Sequence, residues 1–117
     1  MKVMIVDDNA GTRAMIRVIL ERSGHTVLGE AGDGDSAIKV FAELRPEVVL
    51  LDIIMPGKSG VEVLKEIRAI DPAAKVVLVT AIEQDEVNKD LFRNGASAVI
   101  YKPFAPDEFD KVLKRIA

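Results

Sequence analysis

Apolar residues fall along this chain in two alternating patterns. Short, nearly unbroken runs occur at Val3–Val6, Thr26–Leu28, Val48–Leu51, Val76–Val79 and Ala98–Tyr101. They are rich in Val and Ile and do not alternate with polar residues, which predicts strands buried on both faces of a parallel sheet. Between them apolar residues recur at helical spacing, predicting helices over about Ala10–Ser23, Asp35–Leu44, Gly60–Ile70, Gln84–Asn94 and Pro106–Ile116. In the first, Thr12, Met15, Ile16, Ile19 and Ser23 share the face expected to meet the core, and Gly24 stands where a left-handed residue would stop the helix. Asn94-Gly95 closes the fourth in the same way, and Pro46, Pro72 and Pro106 fall between elements or in a helix's first turn. The pattern is (βα)5, so the expected fold class is α/β: an open doubly wound sheet with right-handed crossovers and helices on both faces. Phe104 and Phe109, near the last helix, are expected in the core.

Composition narrows the function. At 117 residues the chain is expected to form one domain, residues 1–117, with 49% hydrophobic and 30% charged residues, as in a soluble globular protein. Its apolar runs are far shorter than the roughly 18 residues of a membrane span, and no membrane association is expected. The N-terminal stretch reaches the acids Asp7 and Asp8 after a few apolar residues and shows no small-residue cleavage site, so a cytoplasmic location is expected. The chain has no cysteine, which excludes disulfides, thiolate metal sites and cysteine nucleophiles. Its net charge of −3 comes without a basic stripe, which argues against direct nucleic-acid binding.

In open α/β sheets ligands bind beyond the carboxyl ends of the strands. The residues there are Asp7-Asp8 after the first run, Asp52 after the third, Thr80 after the fourth and Lys102-Pro103-Phe104 after the fifth. Each has an ordinary reading alone: Asp7 and Asp8 as helix caps, Thr80 as a strand residue, Lys102 as a solvated strand end. Asp52 resists one, because Ile53, Ile54 and Met55 follow it and offer no polar cap setting. If the first and third strands are neighbours, three carboxylates converge. Two such groups about 5 Å apart repel by roughly 3 kcal/mol at an effective dielectric near 20, more than one lysine offsets for three. A hard divalent cation with oxygen ligands would compensate, and Mg2+, which keeps waters and takes up phosphate, suits a site with open positions. A carboxylate nucleophile, a metal, a hydroxyl and a lysine together point to acyl-phosphate chemistry. The single histidine, His25, follows Gly24 and reads as a turn residue.

The stretches VMIVDDN, VVLLDIIMPGKSG, VVLVTA and GASAVIYKPF, in this order, resemble the receiver domains of two-component response regulators over the whole chain, especially single-domain ones of the chemotaxis type. The resemblance implies a flavodoxin-like sheet in strand order 2-1-3-4-5. It implies that Asp52 accepts a phosphoryl group, that Asp8 binds Mg2+ (or Mn2+) directly and Asp7 through water, and that the Ile54 carbonyl completes the metal's protein ligands. Thr80 would then bond a phosphoryl oxygen, Ala81 would leave room beside it, and Lys102, before a cis bond to Pro103, would pair with the phosphoryl group. Gly60 matches the family's glycine at the start of the third helix.

Two departures stand out. Val99 occupies the position of the family's aromatic rotamer switch, while Tyr101, one residue before Lys102, should point to the other side of the strand from it. Ile54 and Ile82 stand where polar residues often assist an attacking water; two isoleucines are expected to exclude water instead, so slow self-dephosphorylation is expected. On the first helix, Gly11, Ala14 and Val18 form a small apolar patch expected to dock a histidine kinase or histidine phosphotransfer protein. The implied protein is a monomeric, phosphorylation-dependent signalling switch acting on an unknown downstream protein, not a conventional enzyme, although it would catalyse its own phosphorylation and dephosphorylation. The alternatives are a receiver-like interaction domain that works without phosphorylation, a metal-dependent phosphatase with an Asp nucleophile, and a flavodoxin-like cofactor binder. The intact acid, threonine and lysine set argues against the first of these. The order of the acids argues against the second, and the acidic DDNAGT loop against the third.

Overall fold

The computed structural model describes residues 1–81 and 85–117, with only the backbone described for residues 85–87. Its elements are β1 (Lys2–Val6), α1 (Ala10–Arg22), β2 (Thr26–Ala31), α2 (Gly34–Leu44), β3 (Val48–Leu51), α3 (Gly60–Ile70), β4 (Lys75–Thr80), α4 (Asp85–Arg93), β5 (Ala98–Tyr101) and α5 (Pro106–Ile116). The strands form one parallel sheet in the order β2-β1-β3-β4-β5.

The uniform apolar character of the runs follows from this sheet being covered twice. Alternate residues of each strand feed two separate cores. Met4, Val6, Val49, Leu51, Val76 and Leu78 pack with Phe41, Leu64, Ile67 and Leu91 under α2, α3 and α4. Val3, Ile5, Val48, Leu50, Val77, Val79 and Ile100 pack with Ile16, Leu20, Phe109 and Leu113 under α1 and α5. Each core buries aliphatic area at roughly 25 cal/mol per Å², so no strand position inside the sheet can be polar without cost.

Several boundaries differ from the sequence reading. β2 runs on through Gly29, Glu30 and Ala31, because pairing to β1 continues (Met4 with Gly29, Val6 with Ala31) after side-chain hydrophobicity has stopped. It is an edge strand, half-buried, and backbone hydrogen bonding rather than burial sets its length. The helix-cap reading of Asp7 and Asp8 is corrected: Asn9 caps α1, its side chain accepting from the Thr12 N–H at 2.9 Å. Gly24, just past the Ser23 C-cap, has φ +86, the left-handed geometry that an L side chain resists. Gly60 starts α3 for a different reason: a Cβ there would lie 2.7 Å from the Ile53 Cα, so α3 can close onto the strand-end segment only through a glycine.

The core face of α1 is also rotated from the expected stripe. Ile16 and Leu20 are buried, but Met15 is 51% exposed and Ser23 is solvent-facing. Helical periodicity identifies an apolar arc; which part of that arc meets the sheet depends on where α5 packs beside it. Phe109 is buried and Phe104 half-buried, their rings edge-to-face with centroids 4.8 Å apart. His25 is more than a turn residue, since its Nε2 lies 3.2 Å from Asp110 Oδ1 of α5.

Candidate functional site

Strand register assembles the site. Val6 pairs with Leu51 and Leu51 with Leu78, so the first residues beyond β1 and β3 emerge side by side. The Asp52 N–H donates to the Val6 carbonyl at 2.9 Å, and the Asp7 N–H to the Ala31 carbonyl at 3.1 Å. One carboxylate oxygen from each of Asp7, Asp8 and Asp52 lies within 4.8 Å of the others. Asp7 and Asp52 are buried, and Asp8 is exposed at the mouth.

Lys102 closes the cluster. Its backbone N–H donates to the Thr80 carbonyl at 2.8 Å, which fixes the end of β5 against β4, and its bond to Pro103 is cis. Its Nζ donates to Asp7 Oδ2 at 2.8 Å and to Asp52 Oδ2 at 3.4 Å. The remaining oxygens are held by backbone: Asp7 Oδ1 accepts from the Asn9 N–H at 2.9 Å and Asp52 Oδ1 from the Ile54 N–H at 3.2 Å. Burial pushes the Asp52 carboxyl above its ordinary value, against the opposing pull of the Ile54 N–H and the Lys102 charge. For Lys102, burial works downward, but the bonds and charges of Asp7 and Asp52 outweigh it and raise its pKa. A single cation is therefore shared between two buried anions while a third stands beside them. Three carboxylates around one concavity form the hard-oxygen donor set that suits a divalent cation such as Mg2+.

The other residues singled out by sequence are distributed around this centre. Thr80 is fully buried at the end of β4, and Ala81 beside it is exposed. Ile82 lies outside the described residues. Ile54 is 63% exposed, so its side chain stands at the rim of the site rather than covering it. Val99 packs against the core on the α4 side of the sheet. The Tyr101 hydroxyl accepts from Asn88 Nδ2 of α4 at 2.9 Å. Gly11, Ala14 and Val18 are all exposed on α1. Next to them Thr12, Met15, Lys102, Pro103 and Phe104 line a groove of about 260 Å³ that opens beside the lysine.

Sequence reasoning missed four contributors. Asn9 carries a local signal, the preference of asparagine for helix N-caps, and Met15 lies on an apolar arc of α1 wide enough to leave one edge exposed. Asn88, buried with its amide on Tyr101, and Arg13, which donates to the Asp7 carbonyl, carry no local signal because their partners are fixed by tertiary packing.

Fold and strand-end cluster together define a doubly wound α/β module that gathers three carboxylates and a lysine at the carboxyl end of its sheet. Residues 3–114 match the response regulator receiver domain family, and the chain belongs to that family. It is 37% identical over 116 residues to the chemotaxis protein CheY of Thermotoga maritima, covering 99% of this chain and 97% of that one. It is 39% identical over 117 residues to the chemotaxis protein CheY of Listeria monocytogenes, covering 100% and 98%. A chain of the CheX–CheY–BeF3–Mg2+ complex from Borrelia burgdorferi superposes with a TM-score of 0.96 at 27% identity, over 99% of this chain and 88% of that one. The protein is thus a receiver domain of two-component signalling, a signalling protein rather than a conventional enzyme. Among the described residues no helix is long and apolar enough to cross a membrane.

The raised pKa of Asp52 has a stability consequence. The folded state holds the Asp52 proton more tightly than the unfolded chain, so this group's contribution falls as pH rises from the unfolded carboxyl value through the folded one. Asp52→Asn should therefore stabilise the metal-free protein at neutral pH relative to wild type. The gain should vanish at a pH below the ordinary aspartate value of about 3.9, as measured by urea unfolding across pH.

Proposed function

We propose that this receiver is a phosphorylation-dependent switch in which Asp52 accepts a phosphoryl group from a histidine kinase or histidine phosphotransfer protein. The observation that carries this reading is the sharing of Lys102 between buried Asp7 and Asp52, with Asp8 at the mouth and Thr80 on the adjacent strand end. A carboxylate that burial makes costly, aimed by a backbone bond and approached from one side, is arranged as a nucleophile.

Asp8 directly, Asp7 through water, Asp52 and the Ile54 carbonyl would hold Mg2+, and Mn2+ would suit the same oxygens. When bound, the ion supplies neutralisation of charge on the phosphoryl oxygens. In the transfer an Asp52 carboxylate oxygen attacks phosphorus as the phosphorus–nitrogen bond breaks, and the electron pair leaves with the donor histidine's ring nitrogen. Lys102, exchanging Asp7 for the phosphoryl group, keeps a partner throughout. The Thr80 hydroxyl turns to a phosphoryl oxygen, with Ala81 leaving the space. Val99 has no polar or aromatic handle, so the switch relies on Thr80. Hydrolysis of phospho-Asp52 returns the domain to its resting state without a second protein, slowly because Ile54 and Ile82 bring no group that orients water.

The Gly11, Ala14 and Val18 patch, extended by the Met15–Phe104 groove, is the docking face for the phosphodonor. The domain acts as a cytoplasmic monomer, with a downstream protein rather than nucleic acid as its target.

Incubation with Mg2+ and acetyl phosphate, read by intact mass, should add one phosphoryl group to the wild type and none to Asp52→Ala; an unmodified wild type would refute the reading. Ile54→Asn should shorten the lifetime of the phosphorylated form severalfold, followed by the decay of that mass. Val18→Glu, at a position 49% exposed, should leave the fold intact and slow transfer from a phosphohistidine donor about tenfold, the equivalent of roughly 1.4 kcal/mol, while acetyl phosphate still reacts normally.

A further inference from the structure

Arg13 lies outside every motif discussed above, yet it is tied to the acid cluster from behind. Its Nη1 donates to the Asp7 carbonyl at 2.5 Å, and its Nε pairs with Glu30 Oε1 at 3.1 Å. Glu30 is held in turn by Arg17, whose Nε lies 2.7 Å from Glu30 Oε2. The guanidinium lies against Gly32, where a Cβ would come within 3.2 Å of Nη1 and 3.9 Å of the Asp7 carbonyl oxygen. Three elements thus meet at one peptide group: α1 through Arg13, the end of β2 through Glu30, and the β1–α1 turn through Asp7.

That peptide group joins Asp7 to Asp8. Because a peptide is planar, fixing its carbonyl oxygen also fixes the direction in which the chain leaves toward Asp8. The Asn9 N–H on Asp7 Oδ1 restrains the same segment from the other side. An arginine's rigid fork can donate to the carbonyl and the glutamate at once; a lysine's single nitrogen lacks that fork.

We infer that Arg13 is a positioning residue for the metal site, setting the Asp7–Asp8 peptide so that both carboxylates face the cavity they share with Asp52. This rests on the proposal above that Asp7, Asp8 and Asp52 bind Mg2+. It also predicts the sign of an effect that charge alone would reverse. Removing a cation near three carboxylates should tighten Mg2+ binding by Coulomb's law, whereas losing the positioning contact should weaken it.

The test is calorimetric titration of the intact protein with Mg2+ alone. Arg13→Gln should bind Mg2+ about tenfold more weakly than wild type, the lower end of what loss of an outer-shell partner usually costs, and Arg13→Lys should also be weaker despite keeping its charge. Phosphorylation by acetyl phosphate should then need proportionally more Mg2+ for half-maximal rate, with the maximal rate retained at saturation. Equal or tighter Mg2+ binding by Arg13→Gln would overturn the inference, as would a lost maximal rate at unchanged affinity. If circular dichroism shows Arg13→Gln unfolded, Gly32→Ala decides the matter: its methyl crowds the guanidinium without touching a carboxylate, and it should weaken Mg2+ binding, while unchanged affinity would overturn the proposal. A wild type that binds no Mg2+ would instead remove the metal reading itself.

Discussion

The structure turns on like charges brought together at the end of a buried sheet. Parallel pairing of β1 with β3 in direct register leaves Asp7 and Asp52 adjacent, with little solvent to screen them. Lys102 makes the arrangement tolerable by lying within reach of both. Its own position depends on β5 pairing with β4, through the backbone bond to Thr80. The cluster thus draws on all of the interior strands at once, and a shift in any pairing would separate the charges from their compensation.

The two cores give that arrangement its stiffness. Because alternate residues of each strand pack into opposite layers, the strand ends are held from above and below, and the carboxylates inherit positions set by close-packed aliphatics. The segment after Asp52 is tied down too. Gly60 lets α3 press against Ile53, Ser59 caps the helix, and Lys58 bonds Glu66 of α3 at 2.7 Å. The segment that follows Asp52 is therefore anchored on a regular element, α3, rather than left as a free loop.

The rim is built differently. Met15 and Ile54 are large apolar residues left substantially exposed near the mouth, and Val18 is exposed further along α1. Met15 and Phe104 border a groove that reaches Lys102, so a partner settling on α1 would bury apolar surface within contact distance of the charged centre. On the far side of β5, Tyr101 and Asn88 link the strand to α4 through a partly buried hydrogen bond. These two flanks give the strand-end chemistry separate mechanical neighbours: α1 on one side of the sheet, α4 on the other.

Much of this was legible in the chain itself. The five Val- and Ile-rich runs and the helical spacing between them specify a doubly wound α/β sheet, since only strands buried on both faces need to be apolar throughout. The acids, threonine and lysine were visible as strand-end residues because those positions follow from where the apolar runs stop. Strand order came from resemblance to a family, as local pattern contains nothing about which strand lies beside which. Only the tertiary structure decided the remainder: that Asn9 rather than Asp7 or Asp8 caps α1, that Met15 faces outward, that Glu30 extends β2, and that Arg13 and Asn88 find partners at all. Periodicity reports how polar a position can be, which burial fixes one residue at a time. Which polar group meets which depends on register and packing between elements far apart in sequence, and no local pattern encodes that.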